Sequence, residues 1–111
     1  MNIYDTANNL AHELRSSQEY KEYKRLKEEV KADLEIKEKI DKFEKMRYEL
    51  QLASIQCGNQ DEQKTSEIQN LYIELIQNES VRKYFDAELK FNVILTDINK
   101  IIGEAVEDVL K

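Results

Sequence analysis

Proline is absent from this chain of 111 residues, and glycine occurs only at Gly58 and Gly103. Both residue types destabilise a helix interior, proline by about 3 kcal/mol and glycine by about 1 kcal/mol relative to alanine. Leu, Glu, Lys and Gln, which are good helix formers, make up much of the chain. No segment alternates apolar and polar residues as a half-buried strand does. The sequence therefore predicts an all-α fold.

Apolar spacing and turn residues divide the chain into five predicted helices. Ser16 (followed by Glu19), Asp33 and Ser80 are the predicted N-caps of the second, third and fifth helices, because their side-chain oxygens can accept free backbone amides. Gly58 lies in the strongest loop signal, CGNQDEQ. We expect one domain over residues 1–111, a small helical bundle with two long antiparallel helices. The predicted helices span about residues 3–15, 18–31, 34–56, 62–78 and 81–110.

The final predicted helix carries a long apolar seam. Along it, positions 84, 87, 91, 94, 98, 101, 105 and 108 follow one another at steps of three and four, and only Asp108 among them is polar. Such spacing is typical of a coiled-coil contact. A second, partly apolar row lies beside the first, so the stripe is wide enough for two neighbouring helices. The predicted interface residues are Tyr84, Phe85, Phe91, Ile94, Leu95, Ile98, Ile101, Ile102, Ala105 and Val109.

The seam predicts contact with protein and not with lipid. A membrane-spanning helix needs about 20 consecutive apolar residues, and the longest apolar run here is Val93 to Leu95. Helices that lie on a membrane usually carry basic residues on their polar face, whereas this one carries acids such as Glu88, Asp97 and Glu104. Either the first helix or a second copy of the chain could cover the second row of the stripe. Because so short a chain buries only a modest core and the seam is long, we favour a symmetric homodimer.

Residue types that carry catalysis and metal binding are sparse. His12 is the only histidine, and no serine or cysteine stands at a recognisable motif spacing from it. Cys57 is the only cysteine, so one chain cannot build a zinc site from cysteine and histidine. Gly58 and Gly103 lie too far apart for a phosphate-binding loop. We therefore predict no catalytic residue, no cofactor and no metal ion.

The segment EYKEYKRLK, residues 19–27, leaves a nucleic-acid-binding alternative open. Its tyrosines could stack on bases while its basic side chains bind phosphates. In the competing interpretation the tyrosines face the core with Leu26 and Val30, and the lysines reach outward. A net charge of −6 argues against DNA binding and makes direct RNA binding the weaker prediction. The candidate RNA contacts are Tyr20, Lys21, Tyr23, Lys24, Arg25 and Lys27.

The beginning of the chain predicts its compartment. MNIYDTANNL lacks the basic start and the apolar centre of a secretory signal. A lone cysteine agrees with a reducing environment. We expect a cytoplasmic protein.

Three stretches of the sequence resemble a known family. MNIYDTANNLAHEL, SSQEYKEYKRLKEEVKAD and DINKIIGEAVEDVL are similar to the YlbF/YmcA family of small bacterial helical proteins, and most closely to its YheA-like branch. The resemblance implies a cytoplasmic, dimerising, all-helical protein of Firmicutes type without enzymatic activity.

The resemblance also implies a regulatory role. YlbF and YmcA members regulate competence, biofilm formation and sporulation, in complex with a third protein that modulates an RNA-degrading enzyme. Cysteines of that complex are associated with iron-sulfur clusters, but Cys57 could ligate a cluster only with thiols of other chains, so the cluster is not expected here. We expect a non-enzymatic regulatory or adaptor protein that acts through homodimerisation and protein–protein contacts.

Overall fold

The computed structural model describes residues 2–57 and 62–110, which form six helices and contain no β-strand. The all-α prediction is confirmed. Gly58 and the rest of the predicted loop up to residue 61 lie outside the described residues. The helices are α1 (Ile3–Ser16), α2 (Gln18–Lys31), α3 (Leu34–Cys57), α4 (Glu62–Leu75), α5 (Glu79–Ala105) and α6 (Glu107–Leu110).

Polar side chains that accept backbone amides mark where α2 and α3 begin. The Oδ1 atom of Asp33 lies 3.1 and 3.3 Å from the amide nitrogens two and three residues later, which confirms the predicted cap of α3. The predicted cap at Ser16 is wrong by one residue. Ser16 is the last residue of α1, whereas Ser17 has the extended backbone of a cap and its Oγ accepts the N–H of Tyr20 at 3.2 Å.

The predicted cap of the last helix, Ser80, is also wrong. Asn78 caps α5, its Oδ1 accepting the N–H of Val81 at 3.2 Å. Ser80 lies in the first turn of α5, where its Oγ donates to Glu29 of α2 at 2.9 Å. Because residues 76–78 turn the chain towards this cap, α4 ends at Leu75 and not near residue 78.

The final helix, predicted to be continuous over residues 81–110, is divided in two. Val106 leaves the helical conformation, with φ −115° and ψ 9°, and α6 begins at the next residue. Gly103 weakens the helix three residues earlier, and α6 has no buried residue. Tertiary packing therefore does not hold this end in one helix.

Two antiparallel helix pairs make up the fold. α2 runs antiparallel to α5, because Tyr20 near the start of α2 packs on Phe91 while Glu29 near its end contacts Ser80. α3 and α4 form the second antiparallel pair.

The two longest helices, α3 and α5, are not one of these antiparallel pairs. Where they meet, Glu44 contacts Tyr84 and, one turn further along both helices, Arg47 contacts Glu88. They therefore run in the same direction. The reason is that α2 lies antiparallel to α5 and the tight turn after Lys31 then reverses the chain into α3.

The helix pairs meet in one small core, and the chain extends beyond it. The Cα radius of gyration is 17.7 Å, against about 13 Å for a compact domain of this length. α1 buries none of its residues. The ends of α3 and α5 also reach past the core, and most of the predicted interface lies on the end of α5. The buried core residues within the described ranges are Leu26, Val30, Ile40, Phe43, Leu75, Val81, Tyr84 and Ala87.

Candidate functional site

The structure divides the predicted interface into a covered and an uncovered half. In the first half, Tyr84 is only 1% exposed and Phe85 packs against the core. Phe91 lies against Tyr20 and Tyr23 of α2, with ring centroids 5.7 and 6.0 Å apart. Other residues of the same chain therefore cover these three predicted interface residues.

The second half of the predicted interface lies on the end of α5 and on α6. Ile94 and Ile98 are half-buried, whereas Ile101 is 66% and Val109 is 78% exposed. A monomeric protein rarely exposes so continuous an apolar stripe. We call this stripe the distal apolar surface, and it consists of Ile94, Leu95, Ile98, Ile101, Ile102, Ala105 and Val109.

The distal apolar surface is uncovered because α2 is shorter than α5. α2 begins at Gln18, and its first turn lies at the level of Phe91. Since α1 precedes α2 in the chain, it is the helix expected to cover the rest of α5. However, α1 has no buried residue. The sequence predicts the apolar stripe correctly but not that only its first half is covered.

The tyrosines of residues 19–27 pack inward, as in the competing interpretation of that segment. The rings of Tyr23 and Tyr84 stack with centroids 5.7 Å apart, and Tyr23 Oη donates to Glu88 Oε2 at 3.5 Å. Burial and the nearby Glu88 carboxylate raise the pKa of Tyr23. Tyr20 packs on Phe91 and carries the Arg15 guanidinium 5.4 Å from its ring centroid. Neither ring is presented as a free stacking platform for bases.

Only some of the basic side chains predicted to contact RNA lie close together. Arg25 is bound by Glu22 at 2.9 Å and Glu29 at 3.3 Å, and its hydrogen bond to Glu22 raises its pKa. Lys21 is exposed and does not line a groove with the others. Lys24 and Lys27, in contrast, line an open groove of about 440 Å³. We call it the lysine groove, and its lining residues are Tyr20, Tyr23, Lys24, Lys27, Glu28 and Lys31.

A polar cavity of about 410 Å³ lies between α2, α3 and α5, and sequence reasoning missed it. Tyr84 Oη donates to Glu44 Oε1 at 3.4 Å, and Arg47 lies 3.7 Å from Glu88. Burial, together with the Glu44 carboxylate, raises the pKa of Tyr84 above its ordinary value. The only signal in the sequence was Glu88, a polar residue within the second row of the stripe. These contacts join three helices, and the described residues that line the cavity include no histidine, cysteine or serine.

The described residues show neither a metal cluster nor a membrane helix. Within residues 2–57 and 62–110, no three His, Cys, Asp or Glu side chains lie together as ligands for a metal ion. His12 is exposed on α1, and the Cys57 side chain lies outside the described part. None of the described helices combines the length and apolar character that crossing a membrane requires.

Comparison with known proteins places the chain among bacterial regulators and uncharacterised relatives. Residues 3–107 match the family model described as "Control of competence regulator ComK, YlbF/YmcA". A UPF0342 protein of Desulfitobacterium hafniense is 36% identical over 110 residues, which cover 99% of this chain and 89% of the relative. A UPF0342 protein of Symbiobacterium thermophilum is 36% identical over 95% of this chain and 94% of the relative. Another, from Caldicellulosiruptor saccharolyticus, is 34% identical over 96% and 88%.

Proposed function

The chain belongs to the YlbF/YmcA family of proteins that control the competence regulator ComK, and from this premise we propose that it is a non-enzymatic, cytoplasmic regulatory or adaptor protein. It acts as a homodimer and through contacts with other proteins. No enzymatic name occurs among the three relatives described above, and histidine, cysteine and serine are absent from the described lining of the polar cavity. Both observations support a role in recognition.

The observation that carries the proposal is the uncovered distal apolar surface. Ile101, Ile102 and Val109 are each more than half exposed, although they continue the same stripe that α2 covers further back. Burying apolar surface stabilises a contact by about 25 cal/mol per Å². A second copy of the chain supplies a matching apolar stripe, so symmetric dimerisation is the simplest way to cover both copies at once.

Dimerisation leaves the charged faces of α3 and α4 available for a partner protein. In keeping with the family, we propose that this partner belongs to a complex that modulates an RNA-degrading enzyme. The ion pair between Lys39 and Glu74, at 2.8 Å, holds these two helices together across their exposed side. The dimer would then present two such helix pairs, one from each copy.

Substituting an exposed residue of the distal apolar surface tests the dimer. Because Ile101 is 66% exposed in the protomer, Ile101→Asp should leave the helical circular dichroism spectrum unchanged. A carboxylate buried in the interface should weaken the dimer by at least about tenfold, measured by sedimentation equilibrium. Ile73→Asp is the matched control, since Ile73 is 55% exposed on α4. A wild-type protein that stays monomeric at all concentrations would contradict the proposal.

The partner is tested by affinity purification of the tagged protein from its native cytoplasm, with and without RNase, followed by mass spectrometry. We expect a stable protein partner whose recovery does not depend on RNA. The alternative function, direct RNA binding through residues 19–27, predicts salt-sensitive RNA affinity that charge reversal of Lys24 and Arg25 abolishes. The inward packing of Tyr20 and Tyr23 argues against this alternative.

A further inference from the structure

The lysine groove on α2 has the character of a binding surface for an acidic, partly apolar segment. Within the described part of the chain, Lys24 and Lys27 make no ion pair, although the carboxylate of Glu28 also lines the groove. Lys31 lies 3.5 Å from Asp41. Tyr20 and Tyr23 also line the groove, so it presents apolar surface as well as charge. An occupant that matched the groove would carry both carboxylates and apolar side chains.

The end of α5 and the short helix α6 have this composition. Glu104 and Asp108 stand among Ile101, Val109 and Leu110, and all of these residues are exposed. The Glu104 carboxylate lies 4.0 Å from Lys100, at the outer limit of an ion pair. This acidic, apolar end therefore complements the lysine groove in both charge and hydrophobicity.

The end of α5 cannot reach the lysine groove of its own chain. Tyr23 contacts both Tyr84 and Glu88, so Lys24, the next residue, lies beside α5 near residue 86. At a rise of 1.5 Å per residue, the acidic end lies about 30 Å further along the same helix. The occupant must come from another molecule.

We propose that in the homodimer the α5–α6 end of each protomer docks in the lysine groove of the other, with Glu104 and Asp108 facing the partner's Lys24 and Lys27. This inference rests on the proposed homodimer and specifies its register. In a symmetric dimer each contact occurs twice, so one docking mode fills both grooves. It also covers the distal apolar surface of both copies.

The symmetry fixes which apolar residues meet. If residues near 107 of one copy lie at the level of residues near 86 of the other, the two-fold axis crosses α5 close to Thr96. Antiparallel pairing about this point places Ile94 against the partner's Ile98, both of which lie beyond the part of α5 that α2 covers. The 3-4 spacing of the seam is symmetric about the same point. The apolar and the charged contacts are therefore satisfied in one register.

An axis nearer the chain end satisfies the charges less well. Centred on Gly103, where an added Cβ would meet nothing within 4 Å, the dimer would bring the two acidic ends side by side. Like charges at such separation repel, and the lysine grooves would remain empty. Charge complementarity thus favours the axis near Thr96.

Reciprocal charge reversal tests the register. Lys24→Glu with Lys27→Glu, and separately Glu104→Lys with Asp108→Lys, should each weaken the dimer by about tenfold or more in sedimentation equilibrium at low salt. A protein carrying all four substitutions should regain most of the wild-type affinity, because each pair is restored with its signs exchanged. Lys42→Glu with Lys45→Glu, on α3 outside the groove, is the matched control and should leave the affinity unchanged.

Cross-linking supplies a measurement on the wild-type sequence. A carbodiimide joins a lysine amine to a carboxylate only where the two touch, and mixed ¹⁴N and ¹⁵N copies identify links between chains by mass. We expect links from Lys24 or Lys27 to Glu104 or Asp108 in mixed-isotope pairs. A dimer that shows neither these links nor rescue by the fourfold variant overturns the docking mode while leaving the homodimer intact. A monomeric wild-type protein overturns both.

Discussion

At the scale of single residues, the most constrained side chains are two tyrosines and the carboxylates that they contact. Tyr84 is almost fully buried, yet its hydroxyl lies 3.4 Å from Glu44 and its ring stacks on Tyr23. Burial penalises a phenolate, and the carboxylates of Glu44 and Glu88 repel it further, so the pKa of each tyrosine is raised. The protonated hydroxyl is the form that the folded protein stabilises.

This pKa shift predicts a loss of stability at alkaline pH. An unfolded tyrosine ionises at a pH of about 10, whereas Tyr84 in the folded protein ionises above that value. The stabilising contribution is therefore complete below pH about 10 and is lost as the pH rises towards the folded-state pKa. Urea unfolding at increasing pH should show this decline, and Tyr84→Phe should make it shallower. Tyr4→Phe, on a side chain that is 75% exposed, is the control, and an equal effect of both substitutions would contradict the assignment.

At the scale of helices, the positions of caps decide which residues face the core. Ser17 lies between the end of α1 and the start of α2. Its Oγ accepts the N–H of Tyr20 and donates to the carbonyl of Leu14 at 2.6 Å. One hydroxyl therefore links two helices. A cap at Ser16 would have started α2 one residue earlier.

Two neighbouring serines make this difference measurable. Ser17→Ala should lower the free energy of unfolding by about 1 kcal/mol, because the amide of Tyr20 loses its acceptor. Ser16→Ala should change it by less than about 0.5 kcal/mol, since Ser16 is exposed in the last turn of α1. Urea denaturation followed by circular dichroism compares the two variants. Equal losses in both would indicate that the cap lies elsewhere.

At the scale of the whole molecule, the protomer is an extended body with a core near its centre. Its principal extents are 50, 36 and 16 Å. α2 covers the first half of α5 and leaves the distal apolar surface open, while α1 buries none of its own residues. A molecule of this shape keeps much apolar surface in contact with water unless it associates.

Hydrogen exchange should separate contacts within the protomer from contacts between protomers. Amides of α5 around Val81 and Tyr84 should be protected equally at all protein concentrations, because their cover comes from the same chain. Amides from Ile98 to Leu110 should gain protection as the concentration rises, since in the proposed dimer a second copy covers that segment. Mass spectrometry at two concentrations gives the comparison. The predicted interface would be contradicted if the monomer–dimer ratio changed with concentration but the protection of this segment did not.

Most of the local structure could be predicted from the sequence. The absence of proline, the spacing of apolar residues and the cap at Asp33 are properties of neighbouring residues, and they led to the all-α fold and to the apolar stripe of α5. The errors at Ser16 and Ser80 have a common cause. Each serine has a second polar residue nearby, Ser17 or Asn78, that can also cap a helix, and local pattern does not choose between them.

Helix propensity and apolar periodicity act over a few residues, so they are enough to predict that this chain is helical and that α5 carries an apolar stripe far longer than its own core can use. Which part of that stripe is covered is a property of the folded molecule and not of the local sequence. Cover depends on where α2 begins relative to Phe91, and on contacts such as the one between Tyr84 and Glu44, which lie 40 residues apart in the chain. Such long-range contacts follow from the packing of whole helices, which no short stretch of sequence specifies.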